Sequence, residues 1–330
     1  MTAIVLLNWN GYNDTIACIS SLYSMTTEDF FVIIADNNSI DESLQEMTIW
    51  CQKNKDVDFQ FIAQGDEDNS SRPRSGTIIL YSLSANYGFA KGNNLAVALA
   101  SRFKPDYYLV LNNDTEVSPD FLEQLFLFSK RHPDYEVLSP LISFYNPKDV
   151  VWNCGGKLFA GLRKYHYAGK PVSSIKEKEY IPISFITGCA LFFTDRILDE
   201  DGRLFTERFF FGEEDFAFSI RMKKEKRKMA CVLDSRIYHK VGQATAKLKR
   251  NDKRYVYFLN RYIDVRLHYS PLFFFCWSYL YSFYIALLLR KAGSSIPETW
   301  RFIRNLHIDC RRYDGISQEM YFKLMNIKES

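Results

Sequence analysis

The sequence predicts an α/β fold: a mostly parallel central sheet flanked by helices, with a helical, aromatic-rich C-terminal extension. Three observations carry this. From Ala3 to about Ser101, short uninterrupted apolar runs alternate with stretches of helical periodicity, the order that right-handed crossovers in a parallel sheet produce. The runs are apolar throughout rather than at alternate positions, as strands buried on both faces are. After about residue 246 the texture changes to basic and aromatic, including the uncharged stretch Leu272 to Leu289.

The elements follow in order. Ala3 to Leu7 reads as the first strand and ends in Asn8-Trp9-Asn10-Gly11, with a glycine where a turn needs φ > 0. Ile16, Ile19 and Leu22 predict a helix from about Asp14 to Tyr23. Phe31 to Ala35 is a second strand, closed by Asp36-Asn37-Asn38-Ser39, and Asp41 is placed to cap a helix from about Glu42 to Lys53. Phe59 to Ala63 is a third strand. Residues 64–76 hold no apolar side chain and predict a mobile surface loop, with a lid over the ligand site as the alternative. Thr77 to Leu83 is another strand. Asn86 to Asn94 then leads into a helix ending near Ser101, and its glycines and asparagines suit backbone amides beside a phosphate or sugar. The spacing is neither GxGxxG nor GxxxxGK[ST], which argues against nicotinamide and P-loop sites. Tyr107 to Leu111 is a buried strand that stops at Asn112-Asn113-Asp114-Thr115, and Ser118 and Pro119 start a helix with Phe121, Leu122, Leu125 and Phe126 on one face.

Composition bounds the function. The chain has 330 residues, 47% hydrophobic, enough for one large domain or a domain with an appendage. A net charge of +3 is too small to argue for nucleic acid. The seven cysteines form no CxxC pair and are odd in number, which predicts reduced thiols rather than a disulfide framework or zinc site. The chain opens on a strand with no signal peptide, so a cytoplasmic location is expected.

In a parallel sheet the three polar strand ends, Asn8-Trp9-Asn10, Asp36-Asn37-Asn38 and Asn112-Asn113-Asp114, lie on one edge and can converge on one ligand. A nucleotide fits: Asp36 could accept a hydrogen bond from a base N–H. Asp114 could hold a divalent cation, Mg²⁺ or Mn²⁺, against a diphosphate.

VLLNWNG at 5–11, ADNNSIDES at 35–43, NYGFAKGNN at 86–94, LNNDT at 111–115 and FFGEEDFAFSIRMKK at 210–224 resemble the family 2 glycosyltransferases. They are most similar to the rhamnosyltransferase-like bacterial enzymes of surface-polysaccharide synthesis. The resemblance covers residues 3 to about 245 and implies the GT-A fold, a nucleotide-sugar donor (a dTDP- or UDP-sugar, with dTDP-rhamnose one candidate), a divalent metal and an inverting mechanism. It implies a donor side made of Asn8, Asn10, Asp36, Asn38, Asn86, Gly88, Lys91, Asn94 and Asn113. The metal ligands would be Asp114, in a DxD-type motif whose first acid is Asn112 here, and His239, which is followed by Gly242. The catalytic base would be Asp215, with Glu214 before it and, at Ala217, no second acid where relatives often have one. Gly188, in Thr187-Gly188-Cys189-Ala190, and Glu214 fall on the acceptor side. The acceptor would be a saccharide or lipid-linked saccharide.

The reading divides the chain into a catalytic domain, 1–246, with a nucleotide-sugar half (1–117) and an acceptor half (118–246), and a helical extension, 247–330. The basic run Arg221 to Lys228 is read as a solvated helix face, or as a site for anionic lipid. Leu272 to Leu289, with Arg290 and Lys291 after it, predicts a helix at a membrane surface, with burial against the catalytic domain or a homodimer partner, or a full span, as alternatives. Asp215, in the first turn of a helix, is expected to be kept ionised by the helix dipole. Two other functions compete: a sugar-phosphate nucleotidylyltransferase, disfavoured because no cation follows the first strand, and a non-catalytic scaffold, disfavoured by the presence of both Asp114 and Asp215.

Overall fold

A computed structural model describes residues 1–27, 29–54, 57–241 and 250–325. Among them, nine strands follow one another across the main sheet. In the order β11-β13-β7-β12-β5-β1-β2-β4-β3 these are Tyr180–Ile183, Lys228–His239, Tyr135–Phe144, Ala190–Phe193, Tyr107–Asn112, Thr2–Asn8, Phe30–Asp36, Ile78–Ser82 and Phe59–Ala63. The half from β5 to β3 is parallel throughout. β12 runs antiparallel to both β5 and β7. Two short strands lie off this path: β6 (Thr115–Val117) pairs with β13, and β8 (Val151–Asn153) with β7. A separate hairpin, β9 (Gly156–Phe159) and β10 (Leu162–Tyr165), stands beside the sheet.

All seven residues of β2 are buried, because the sheet is covered on both faces. Ala3, Val5, Phe31, Ile33 and Ala35 face one core, which includes α3 (Gly88–Ser101). Ile4, Leu6, Val32 and Ile34 face another, beneath α1 (Tyr12–Leu22), α2 (Ser43–Lys53) and α4 (Phe121–Arg131). Each fully buried large apolar side chain contributes about 1.5–3 kcal/mol, so two-sided strands dominate the stability of this half.

The fold expected from the sequence is the fold observed, with local departures. Residues 64–76 are tied to the strands and helix beside them. Glu67 accepts from the Tyr81 hydroxyl at 2.5 Å, Asp68 pairs with Arg102, and Gly76 N–H donates to the Phe30 carbonyl. β6 was not apparent from sequence, since three residues pair only because a distant strand returns beside them, and α4 accordingly starts later, at Phe121. Asp41 bonds the Ser43 N–H one residue ahead of the helix cap, Glu42.

The basic run at 221–228 is largely engaged. Arg221 donates to the carbonyls of Ile197 and Leu204, Arg227 pairs with Glu136, and Lys228 with Asp134. Lys223 and Lys226 stay exposed, so these contacts account for only part of the charge of the run.

The C-terminal helices are α6 (Arg250–His268), α7 (Pro271–Lys291), α8 (Ile296–Arg312) and α9 (Gln318–Leu324), after α5 (Glu214–Lys224) in the catalytic part. The expected boundary near residue 246 falls outside the described residues. The helices beyond it share one core with the hairpin and α5: Leu158, Phe185, Phe209, Phe216 and Ile220 pack with Leu259, Tyr262, Ile263, Trp277 and Leu306. Ser295 caps α8 with a capping box to Glu298.

Candidate active site

The parallel register places the polar strand ends side by side. Asn8 lies opposite Asp36 across β1 and β2, and Leu7 opposite Asn112 across β1 and β5. The side chains knit into one network. Asn8 Nδ2 donates to Asp36 Oδ1 (2.8 Å) and the Thr15 hydroxyl to Asn8 Oδ1 (2.8 Å), while Asn113 Nδ2 donates to Thr15 Oγ1 (2.8 Å). Asp36 is 2% exposed. Its Oδ1 also accepts from the Ser39 hydroxyl and its Oδ2 from the Ser39 N–H. Asn10 closes the rim, its N–H donating to Ser39 Oγ and its Oδ1 accepting from the Ile40 N–H. Asn38 is exposed on this rim with φ of 56°.

Part of the expected donor side has other work. Asn86 Oδ1 accepts from Asn37 Nδ2 and from the Gly88 N–H. Gly88, at φ of 75°, lets the chain pass the Phe210 carbonyl, which a Cβ would meet at 2.0 Å. Asn94 bonds to the backbone of a segment some 110 residues further on: its Oδ1 accepts from the N–H groups of Leu204 and Phe205, and its Nδ2 donates to the Phe205 carbonyl. These contacts fix the local shape of the segment that carries the three residues. Lys91 lies with its ammonium 4.6 Å from the Tyr87 ring.

Asp114 and His239 are brought together by the β6–β13 pairing, which sets His239 opposite Thr115. His239 Nε2 is 2.9 Å from Asp114 Oδ1. The contact is short but not aligned as a hydrogen bond, and both Asp114 Oδ1 and His239 Nδ1 are buried with no hydrogen-bond partner among the described residues. The Trp152 ring packs edge-on against His239 at 4.3 Å. Gly242 lies outside the described residues. The Asp114 carboxylate oxygen, with unsatisfied capacity, fits Mg²⁺ or Mn²⁺ when substrate oxygens complete the shell, whereas the free nitrogen of His239 is Nδ1 and Nε2 is the one that faces Asp114. No group of three or more His, Cys, Asp or Glu forms a ready cage among the described residues.

Gly188 ends the turn into β12, which pairs with β5 so that the Asn112 N–H donates to the Cys189 carbonyl (2.8 Å). A Cβ on Gly188 would lie 3.9 Å from the Cβ of Asp215, so the acceptor-side turn and the expected base are neighbours. Cys189 is buried, and burial pushes its thiol well above the ordinary value, which leaves no thiolate for nucleophilic work.

Three successive acids open α5. Burial raises Asp215 above the ordinary carboxylate range, while Arg163 and the Gly188 N–H pull the other way. This corrects the expectation that the helix dipole governs it: desolvation is the larger effect. Burial, with Asp215 beside it, pushes Glu214 up to about 8, and its Oε2 has no hydrogen-bond partner. At about 8 the Glu214 carboxyl is neutral at pH 7. Glu213 stands in the left-handed region at φ of 72° and meets two arginines, Arg163 and Arg261.

Neither arginine was singled out from sequence. Arg163 sits in an unremarkable hairpin pattern. Arg261 carried a signal, since with Asp264 it forms an opposite-charge pair three residues apart within a helix stretch buried from Phe258 to Val265.

The model of glycosyl transferase family 2 matches residues 3–202, and that of glycosyl transferase family group 2 matches residues 107–306. The first alone spans more than half of the sequence, and the chain belongs to glycosyl transferase family 2. It is a transferase enzyme of GT-A fold. No curated protein sequence matches it.

Among solved structures it is similar to GalNAc-T7 with UDP, GalNAc and Mn²⁺ (14% identity, TM-score 0.58, covering 98% of this chain and 56% of that one). It is similar also to mannosyltransferase PcManGT from Pyrobaculum calidifontis in complex with GDP-Man and Mn²⁺ (12%, 0.55, 98% and 84%). A third is S. aureus TarS 1-349 in complex with UDP-GlcNAc (14%, 0.51, 80% and 66%). At these identities the likeness is one of fold. The chain spans less than two thirds of the length of the GalNAc-T7 and TarS chains.

Proposed function

We propose that this protein is an inverting, metal-dependent glycosyltransferase that moves a sugar from a nucleoside diphosphate to a saccharide or lipid-linked saccharide hydroxyl. The observation that carries this is the pairing of two distinct centres on one sheet edge: the orphaned Asp114 and His239 beside the Asn8–Asp36–Asn113 network, and Asp215 behind Gly188. Neighbours of the same fold that are named for UDP, GDP-Man or UDP-GlcNAc complexes support a nucleotide-sugar donor.

In this reading the nucleotide lies over Asp36 and Asn8. Asp114 and His239 would hold a divalent cation, which when bound offsets charge on the departing diphosphate. Asp215 takes the proton of the acceptor hydroxyl as the new C1–O bond forms and the C1–O bond to the diphosphate breaks, a proton transfer worth about 10²–10⁴ in rate. Glu214, neutral at pH 7, adds no second negative charge against the base. dTDP-rhamnose, other dTDP-sugars and UDP-sugars are the donors to test first, because uracil and thymine present the same N–H to Asp36.

The test is a thermal-shift panel of nucleotide sugars with and without Mn²⁺. Binding to the folded state raises Tm by mass action. A donor that raises Tm only with Mn²⁺ is the expected result. No shift from any nucleotide under any metal would remove the donor reading and favour the scaffold.

We further infer that the protein works at the inner face of a membrane, bound peripherally through α7 and α8. α7 is long and apolar enough to cross a membrane by length and composition (mean hydropathy 1.8), and a third of its apolar window is buried in the protein. Trp277, Tyr281, Ile285 and Leu289 face the core, while Leu272, Phe275, Leu280, Phe283 and Leu287 face outward, continued by Ile296 and Trp300 of α8. Exposed Arg290, Lys291, Arg301 and Arg304 rim this surface, a pairing of aromatic and cationic groups that suits an anionic bilayer. Flotation with phosphatidylglycerol vesicles should carry the protein upward, and less so in high salt. A protein that stays at the bottom and sediments as a dimer would assign the face to a second copy instead.

A further inference from the structure

We propose that Arg163, on β10, is a positioning residue that holds the Asp215 carboxylate in place, and that helix α6 fixes Arg163 through Glu213. The proposal rests on the reading of Asp215 as the general base.

The geometry is a fork. Arg163 Nη1 lies 3.2 Å from Asp215 Oδ1, and Nη2 lies 3.3 Å from Glu213 Oε1. Nη2 also donates to the Tyr257 hydroxyl at 3.0 Å. The guanidinium is walled by the rings of Phe185, Tyr165 and Tyr257, at 5.0, 5.5 and 5.4 Å. One planar cation thus ties the hairpin to both ends of the Glu213–Asp215 turn. A lysine, with one point charge, cannot span two carboxylates in this way.

The anchor is Glu213. Its φ of 72° is unfavourable for a residue with a Cβ, so the surroundings must impose it. They do so from α6. Arg261 Nε and Nη2 both reach Glu213 Oε2 at 2.5 Å, and the guanidinium lies 3.6 Å over the Phe216 ring. Asn260 Nδ2 donates to the carbonyls of Phe211 and Gly212. Helix α6 therefore clamps three consecutive residues, Phe211, Gly212 and Glu213, just ahead of the base.

The charges give the clamp a chemical consequence. Asp215 is faced by Glu213 and Glu214 from its own turn, by Arg163 and Tyr165 from the hairpin, and by Arg261 and Tyr257 from α6. Its side chain is only 18% exposed, so solvent screens these groups weakly. Burial and Glu213 favour the neutral acid, and Arg163 is the largest opposing influence. A base must be ionised before it can accept a proton. Arg163 thus both aims Asp215 and keeps it available.

The experiment compares full-length wild type, Arg163→Met and Arg163→Lys by the pH dependence of kcat and by ¹³C NMR titration of the Asp215 carboxyl, its signal assigned by its loss in Asp215→Asn. In Arg163→Met the acid limb of kcat and the NMR midpoint should both rise by about one pH unit or more. Donor KM should stay within about twofold, since the donor site is not touched. Arg163→Lys, which keeps a cation should the Met variant fail to fold, should restore the midpoint while kcat stays about tenfold low. An unmoved limb and midpoint in Arg163→Met, or wild-type kcat in Arg163→Lys, would overturn the proposal. If wild type transfers no sugar from any donor, the function reading fails, and the NMR midpoint alone still decides whether Arg163 governs Asp215.

Discussion

Asp215→Asn is expected to lower kcat by about 10²–10⁴-fold, the range for loss of a positioned general base, while donor-induced thermal stabilisation persists. The side chain keeps its shape and its neighbours, so the donor side is unaffected. Stability should not fall near neutral pH. A carboxyl whose folded pKa lies above its unfolded value stabilises the fold fully only below the unfolded value, and that contribution is lost as pH rises through the folded one. Asp215 and Glu214 are both raised, Glu214 to about 8, so the wild-type fold is penalised progressively from about pH 4 to pH 8. Removing one buried acid removes part of that penalty. The combination of lost turnover with an equal or higher Tm at pH 7.5, read by scanning calorimetry and a transfer assay on one preparation, is the expected result. Near-wild-type turnover would exclude Asp215 as the base.

The second large effect is expected at Asp114. Asp114→Ala should reduce kcat/KM by about 10³-fold, corresponding to the several kcal/mol that a metal supplies to departing charge. It should also abolish the Mn²⁺-dependent part of the donor thermal shift. His239, 2.9 Å away, would remain with no second ligand at hand. Excess Mn²⁺ should not rescue the variant. A variant that keeps its Mn²⁺-dependent shift would move the metal elsewhere.

How much of this could be read from the chain depends on distance along it. The parallel half was legible because each strand declares itself: Phe30–Asp36 is apolar to its last residue and then stops at an acid. Asp114, Asp215 and His239 could be named singly by resemblance, but nothing local says that His239 lies beside Asp114, since that follows from the β6–β13 register. Gly88 has a use that spacing does not show, since the Phe210 carbonyl leaves no room for a Cβ there. Arg163 escaped notice because its partners come from the start of α5 and from α6, which no pattern of spacing records.

The β6–β13 pairing has a consequence for the order of assembly. The residue that completes the Asp114 pair is the last of β13, so the centre cannot exist until almost the whole catalytic part of the chain has been made and has returned to the sheet. Closing so long a loop is slow, and contacts of this kind form late. A nascent chain halted at residue 202, where the first family match ends, would already hold its nucleotide-side strands. It would lack both Asp215 and His239. Such a chain could fold in part and remain silent, so competence for transfer would be acquired only once α6 has arrived to clamp the turn that carries the base.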